Sequence, residues 1–231
     1  MIKKEWNNYF GTIENKYNLK LNTNYPIVIF LDGKGITKSL NHDLISETKD
    51  SFNDILEQTI KYFTSKFNCI AISGVDEVSF LIEDVKKLKN YIGVKEFKAH
   101  DIVSIFSQYF YEYFNDRYLG EPIYWHCKCS NIPKGKIKSY IKYRSLTIHE
   151  LKLTYFFKRK QFKNAGKISL ATKQQKSSQM PDYAQIKEFE KGKLYINGNL
   201  VALDAFLNNQ IVKLPETQRE ESNNFLNITD F

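Results

Sequence analysis

The chain has 231 residues, 42% hydrophobic and 15% aromatic, enough to bury the core of one large domain or of one domain with an extension. Its 34 lysines and arginines against 26 acids give a formal charge of +8, which favours an anionic partner such as nucleic acid or nucleotides. The cysteines, Cys69, Cys127 and Cys129, are odd in number and too few for a secreted disulfide framework. No apolar signal core opens the sequence and no apolar run reaches membrane-span length, so a cytoplasmic, soluble protein is expected.

Residues 1–24 are polar and aromatic, with Trp6, Tyr9 and Phe10 as packing anchors, and read as a helix and a loop. The apolar run at 27–31 ends in Asp32-Gly33-Lys34-Gly35 and reads as a buried strand followed by a sharp turn. Asn41 or Asp43 caps the next helix, which runs to about residue 65 with Phe52, Ile55, Leu56, Ile60 and Phe63 as its buried stripe. Residues 67–73 form a second strand, Gly74-Val75-Asp76-Glu77 a tight turn, and 78–82 a third strand. A helix over 96–117 carries the stripe Ala99, Ile102, Val103, Phe106, Tyr109, Phe110 and Tyr113, and 122–129 reads as a fourth strand. The order β-α-β-β-α-β is the split βαβ, or ferredoxin-like, unit, and the fold class expected is α+β.

Pro133 suits the first turn of another helix, extending to about residue 162 with a break near Ser145 and Thr147. Residues 164–193 are Lys-rich and read as a long loop or a mobile segment. Residues 193–201 contain an Asn197-Gly198 turn between apolar runs, a hairpin signal. The tail from about 215 is acidic and partly disordered in this reading. The expected organisation is a catalytic unit over 1–130 and a helical, basic extension over 131–231 ending in that tail.

Two turns concentrate the chemistry. Asp32 ends the first strand, and Asp76-Glu77 begins the third. In a split βαβ sheet these strands are antiparallel neighbours, so the carboxylates meet. Clustered carboxylates repel unless a cation neutralises them. Mg²⁺ takes one or two carboxylates and completes its shell with water and phosphate oxygens. The arrangement suits two-metal phosphoryl or nucleotidyl transfer. Taken singly, each turn is equally readable as an ordinary polar turn.

The string Ile29-Phe30-Leu31-Asp32-Gly33-Lys34-Gly35-Ile36-Thr37 resembles the hydrophobic-Asp-Gly-Arg-Gly-Phe-Thr motif of the tRNA-histidine guanylyltransferase family, the 3′→5′ polymerases. Ser73-Gly74-Val75-Asp76-Glu77-Val78-Ser79-Phe80 resembles its Ser-Asp-Glu-x-Ser-Phe motif, and a weaker likeness continues through Tyr143-Arg144 and His149 to Lys191-Gly192. The resemblance implies a polymerase-type palm, two Mg²⁺ ions, nucleoside triphosphates (GTP, ATP) and tRNA as substrates, and a homo-tetramer. It makes Asp32 and Asp76 metal ligands together with the Gly33 carbonyl. Glu77 supports the site, as a ligand or through hydrogen bonds. The backbone of Asp32, Gly33, Lys34, Gly35, Ile36 and Thr37 holds the triphosphate, with Val75 and Asp76 beside it. Asn41-His42-Asp43 answers loosely to the family's Pro-Asn-Asp.

The departures are informative. Val75 stands where the family has Ser, and Tyr143-Arg144-Ser145 where it has Trp-Arg-Gln. His149-Glu150-Leu151-Lys152-Leu153-Thr154-Tyr155 replaces the His-Ile-Asn-Asn-Leu-Tyr-Asn segment of the enzymes dedicated to tRNA-histidine. That loss is typical of the branch that repairs 5′-truncated tRNAs, so repair is expected over addition of a single guanosine.

Between Asn131 and Met180 lies a basic block whose one acid is Glu150. It reads as an RNA footprint, with Lys134, Lys136, Arg144, His149, Lys152 and Arg159 as candidate contacts. His126-Cys127-Lys128-Cys129 invites a zinc reading, but no second cysteine pair exists, and Cys127 and Cys129 share a strand face with Trp125, as packing residues would. His42 and His100 read as polar surface or capping residues. A nucleotide cyclase or cyclic-oligonucleotide synthase, and a non-catalytic RNA-binding palm, share enough of these features to stand as rivals.

Overall fold

The computed structural model describes residues 20–34, 36, 46–74, 76–93, 97–159, 172–173 and 192–208. The expected N-terminal helix, the caps at Asn41 or Asp43, most of the Lys-rich segment and the acidic tail lie outside them, as do Gly35, Thr37 and Val75.

Strands β1 (Ile27–Gly33), β2 (Ile70–Ser73), β3 (Glu77–Ile82), β4 (Trp125–Asn131), β5 (Lys193–Ile196) and β6 (Asn199–Val201) form one six-stranded sheet in the order β4-β1-β3-β2-β5-β6. Every neighbouring pair is antiparallel. The first four strands have the ferredoxin-like order, and the β5–β6 hairpin extends it beyond β2. Helices α1 (Ser46–Phe67), α2 (Val85–Ile92) and α3 (Ala99–Asn115) cover one face; α4 (Ile137–Arg159) and the short α5 (Leu203–Leu207) cover the other.

Period-two alternation divides the strands between two cores. Ile27, Ile29 and Leu31 of β1 pack with Phe52, Phe63, Phe106 and Phe110 beneath α1 and α3. Val28, with Ile70, Ile72 and Leu81, packs against Ile137, Tyr140, Ile141 and Ile148 of α4. The first core is mainly aromatic: Phe63 sits 5.3 Å from Phe106 and 5.2 Å from Phe110, ring centre to ring centre. Such edge contacts add about 0.5–1.5 kcal/mol each beyond the apolar area they bury.

Several boundaries differ from the sequence reading. Phe67 ends α1, and Asn68, at φ 49°, turns the chain so that β2 begins at Ile70. The sequence reading has no helix between β3 and α3, yet α2 lies there. Asp84 accepts a hydrogen bond from Lys87 N–H at 2.9 Å to start it, Val85, Leu88 and Ile92 form its buried side, and Gly93 at φ 69° closes it. β4 starts three residues later than expected because the Asn115 side chain ties both the N–H and the carbonyl of Ile123 into a loop. Tyr109, placed in the α3 stripe, is 40% exposed. α4 runs through Ser145 and Thr147 unbroken; Thr147 Oγ1 donates to the Tyr143 carbonyl at 3.1 Å without interrupting the helix. The Asn-Gly hairpin forms as expected, with Asn197 and Gly198 both at positive φ (48° and 83°), as a two-residue hairpin turn of this kind requires. Among the described residues no helix is long and apolar enough to cross a membrane.

Candidate active site

The register brings the two predicted turns together. Asp32 lies opposite Glu77 on β3 and opposite His126 on β4. Gly33 N–H donates to the Asp76 carbonyl at 2.8 Å, which ties the turn after β1 to the turn before β3. Alternation puts Asp32, Glu77 and Ser79 on the α4 face, at the end of the sheet where β1 finishes and β3 begins.

The turn after Asp32 drops towards the other face. Ile36 is buried in the α1/α3 core, and its Cδ1 packs where a Gly33 side chain would stand, so a larger residue there would have to displace it. Lys34 N–H donates to the Tyr124 carbonyl at 2.9 Å. The N–H groups of Gly33 and Lys34 are therefore engaged within the fold. Of the stretch expected to hold a triphosphate, Gly35 and Thr37 lie outside the described residues.

Burial raises the pKa of Asp32, and the negative charge of Asp76 raises it further; His126, Arg144 and Lys128 oppose the shift. Burial likewise raises Glu77, against the pull of Arg144. Glu77 and Arg144 form a buried ion pair, Nη2 to Oε1 2.7 Å, with side chains 10% and 5% exposed. The Arg144 guanidinium also lies over the Phe30 ring, 4.5 Å from its centre. Arg144 reaches this position because Tyr140, Ile141, Arg144 and Ile148 recur at three- and four-residue spacing on the side of α4 that meets the sheet. One turn beyond Ile148, burial lowers the Lys152 pKa to about 8, helped by the charge of Lys193 and opposed by Glu77.

Asp32, Gly33, Asp76, Glu77 and Arg144 thus form one cluster, with Lys34 and Ile36 in the adjoining turn. Lys152 joins it from α4; His149, on the preceding turn of α4, is buried. Lys134 and Lys136 do not join it. They follow Asn131, which pairs with Ile27 at the opposite end of β1, roughly 17 Å from Asp32 at ~3.4 Å per residue. The Arg159 side chain lies outside the described residues.

The alternation of β4 answers the zinc question. Trp125, Cys127 and Cys129 point into the α1/α3 core, and burial pushes the Cys127 and Cys129 thiols up. His126 and Lys128 point the other way, so the histidine and the two sulfurs cannot converge. Among the described residues no three His, Cys, Asp or Glu side chains form a metal cage. A magnesium ion needs fewer protein ligands, and two carboxylates with a backbone carbonyl are a donor set it accepts. The sequence reading passed over His126 and Lys128 as site residues. Their period-two offset from Trp125, Cys127 and Cys129 was the signal that places them beside Asp32.

No protein-family model matches the sequence, and no curated protein matches it either. The fold is shared with solved structures. The chain is 14% identical to a bacterial tRNA(His) guanylyltransferase (Thg1)-like protein in complex with ATP, with a TM-score of 0.57 covering 85% of each chain. The Thg1-like protein in complex with GTP gives 13% identity and a TM-score of 0.56 over 84% of each chain. The tRNA(His) guanylyltransferase from Saccharomyces cerevisiae gives 14% and 0.52, over 92% of this chain and 98% of that one. At this identity the likeness establishes a shared palm-type fold.

Proposed function

We propose that the protein is a nucleotidyltransferase that adds nucleotides to tRNA 5′ ends in the 3′→5′ direction, repairing truncated ends. The observation that carries this reading is the meeting of Asp32 and Asp76 at adjoining strand ends, within a fold whose structural neighbours bind ATP or GTP and include tRNA(His) guanylyltransferase. Its cytoplasmic placement and its tetrameric state belong to the same proposal.

Asp32, Asp76 and the Gly33 carbonyl would hold Mg²⁺, which supplies Lewis-acid stabilisation of charge on phosphoryl oxygens. Burial above all, and then the charge of Asp76, disfavour the Asp32 carboxylate, and a cation held beside these groups would offset both effects. In the reaction the 3′-hydroxyl oxygen of the incoming nucleotide bonds to the 5′ phosphorus of the tRNA. Pyrophosphate leaves a triphosphate end, or AMP leaves an adenylylated one, and the hydroxyl proton passes to solvent. Glu77 does not face this chemistry alone: paired with Arg144, it fixes that guanidinium beside the carboxylates. Lys152 supplies further positive charge for a phosphate chain. The replaced segment after His149 supports repair over a single, tRNA-specific addition.

The test offers 5′-truncated tRNAs of several kinds with labelled nucleotides and reads which 5′ ends grow. Asp32→Ala and Asp76→Ala are expected to abolish extension while leaving the thermal transition in place. Full extension by either variant refutes the assignment, and a cyclic product formed without RNA favours the cyclase.

A further inference from the structure

On the face of the sheet turned away from α4, a cluster of polar side chains takes no part in the mechanism above. β2 ends at Ser73, and β5 begins opposite it at Lys193, at the end of the sheet where Asp32 and Glu77 meet. The alternation that buries Ala71 and Tyr195 in the α1/α3 core turns Ser73 to the same face. Glu57 reaches this group from α1. Its Oε2 accepts from Lys193 Nζ at 2.6 Å and from the Tyr195 hydroxyl at 3.4 Å. Its Oε1 pairs with Lys61 Nζ at 2.8 Å, one turn along α1. Burial opposes the charge on Glu57, but the two ammonium groups outweigh it and hold the carboxyl below its usual value. The Tyr195 hydroxyl lies between Glu57 and the Ser73 side chain.

The place of this cluster in the ladder gives it a second role. Asp76 belongs to the turn between β2 and β3. The β3 limb of that turn is secured by β1, through the pairing of Asp32 with Glu77 and the bond from Gly33 N–H to the Asp76 carbonyl. The β2 limb has β3 on one side and the first residues of β5 on the other. Those residues are themselves held weakly. Pairing of β5 with β6 starts only at Leu194, opposite Val201, so among the described residues Lys193 meets the ladder on its β2 side alone. Strand ends paired on one side open readily. Glu57 ties this end down to a long helix. Gly192, the residue before it, packs so closely on the Ser73 carbonyl that a Cβ would lie 2.7 Å from that oxygen. Movement at the start of β5 is therefore passed to Ser73, and from there to the turn.

We infer that Glu57 is a positioning residue for Asp76, acting through Lys193 and Tyr195 on the β2 limb of the turn. Its purpose rests on the nucleotidyl-transfer reading, in which Asp76 holds a metal ion, while the hold itself is measurable without metal or turnover.

The experiment compares the full chain with Glu57→Met, with Glu57→Met/Lys193→Met and with Lys61→Met. Amide hydrogen exchange is read at Gly74, which donates to the Glu77 carbonyl at 2.8 Å, and at Gly33, with Ile29 in the middle of β1 as reference. Mn²⁺ binding is read from the electron paramagnetic resonance of the free ion. Glu57→Met should speed exchange at Gly33 and Gly74 about fivefold relative to Ile29, and weaken Mn²⁺ binding about threefold or more. The double variant removes one charge of each sign and should behave alike, which assigns the effect to the lost contact rather than to an unpaired Lys193. Lys61→Met breaks a pair confined to α1 and should change neither quantity beyond about twofold. The inference is overturned by an exchange ratio that stays constant in Glu57→Met, by Lys61→Met matching it, or by recovery in the double variant. Equal Mn²⁺ affinity in the unaltered protein and Glu57→Met overturns it as well. The expected exchange pattern in a protein that binds no Mn²⁺ sinks the metal reading and leaves the hold on the turn standing.

Discussion

Arg144→Met is the most diagnostic single change at the site. It keeps most of the aliphatic bulk over Phe30 but removes the guanidinium from a carboxylate 2.7 Å away that is 10% exposed. Breaking a buried pair by deleting one partner leaves an uncompensated charge and costs about 3–5 kcal/mol. At ~2–4 °C per kcal/mol for a chain of this size, the melting temperature should fall by about 6–20 °C. The loss should depend on pH in a definite direction. Burial already holds the Glu77 pKa above its usual 4.5, and losing Arg144 raises it further. Above pH 4.5 the folded variant therefore binds more protons than the unfolded chain, so its stability falls as pH rises through the folded pKa. Below that window both states are protonated, and the deficit relative to the unaltered protein is smallest. Urea denaturation at pH 5 and pH 8 measures both effects. Arg144→Met with Glu77→Gln removes both charges and should recover a large part of the loss at pH 8. A loss below about 1 kcal/mol at pH 8, or a double variant as unstable as the single one, refutes the claim that this pair holds the site together.

Gly192 stands at φ 87°, and a Cβ there would lie 2.7 Å from the Ser73 carbonyl oxygen. Gly192→Ala should cost at least ~1 kcal/mol, read as a lower urea midpoint with an unchanged slope, and no shift counts against the close approach of β5 to β2. Lys152→Met tests the depressed lysine. Between about pH 8 and 10.5 the unfolded chain holds the Lys152 proton that the fold releases, so this residue makes stability rise with pH across that window. In Lys152→Met that rise should disappear, and below pH 8 the variant should be the more stable protein; urea titrations at pH 7, 9 and 10 decide it, and an unchanged rise in the variant is the contrary result.

The centre of the sheet was legible because few readings fit it. A run such as Ile27 to Leu31 ending in Asp-Gly has to be a covered strand, and a Gly-Asp turn between two further runs has to be a hairpin. Once the unit is β-α-β-β-α-β, the meeting of Asp32 with Glu77 follows from topology alone. Helix α2 escaped notice because its three apolar residues are separated by lysines, and eight residues are too few for a period to stand out. Arg144 was read as part of a basic surface for a related reason: a charged residue among lysines resembles a solvated face. Only the third dimension, which sets Glu77 beneath it, shows that it is buried. Lys134 and Lys136 stand away from the carboxylates although they are near Arg144 in sequence, because α4 carries the chain back along the sheet; that distance bears on their place in the cluster and not on contact with RNA. His126 and Lys128 follow from the same alternation that buries Trp125, Cys127 and Cys129, which puts them on the face of β4 that Asp32 shares.

The β5–β6 hairpin has a consequence for how the protein is made. Ser73 pairs with Lys193, so β2 gains its second neighbour from a segment well over a hundred residues downstream. Until that segment leaves the ribosome, β2 is a bare edge of Ile70, Ala71 and Ile72, the kind of strand that pairs with a passing chain. Non-local pairing of this sort folds slowly. Translation stalled or cut short between residues 131 and 192 would release a chain with every carboxylate of the site present and its sheet unsealed. The demand for chaperone protection should therefore peak after the chemistry has been encoded and before the hairpin arrives.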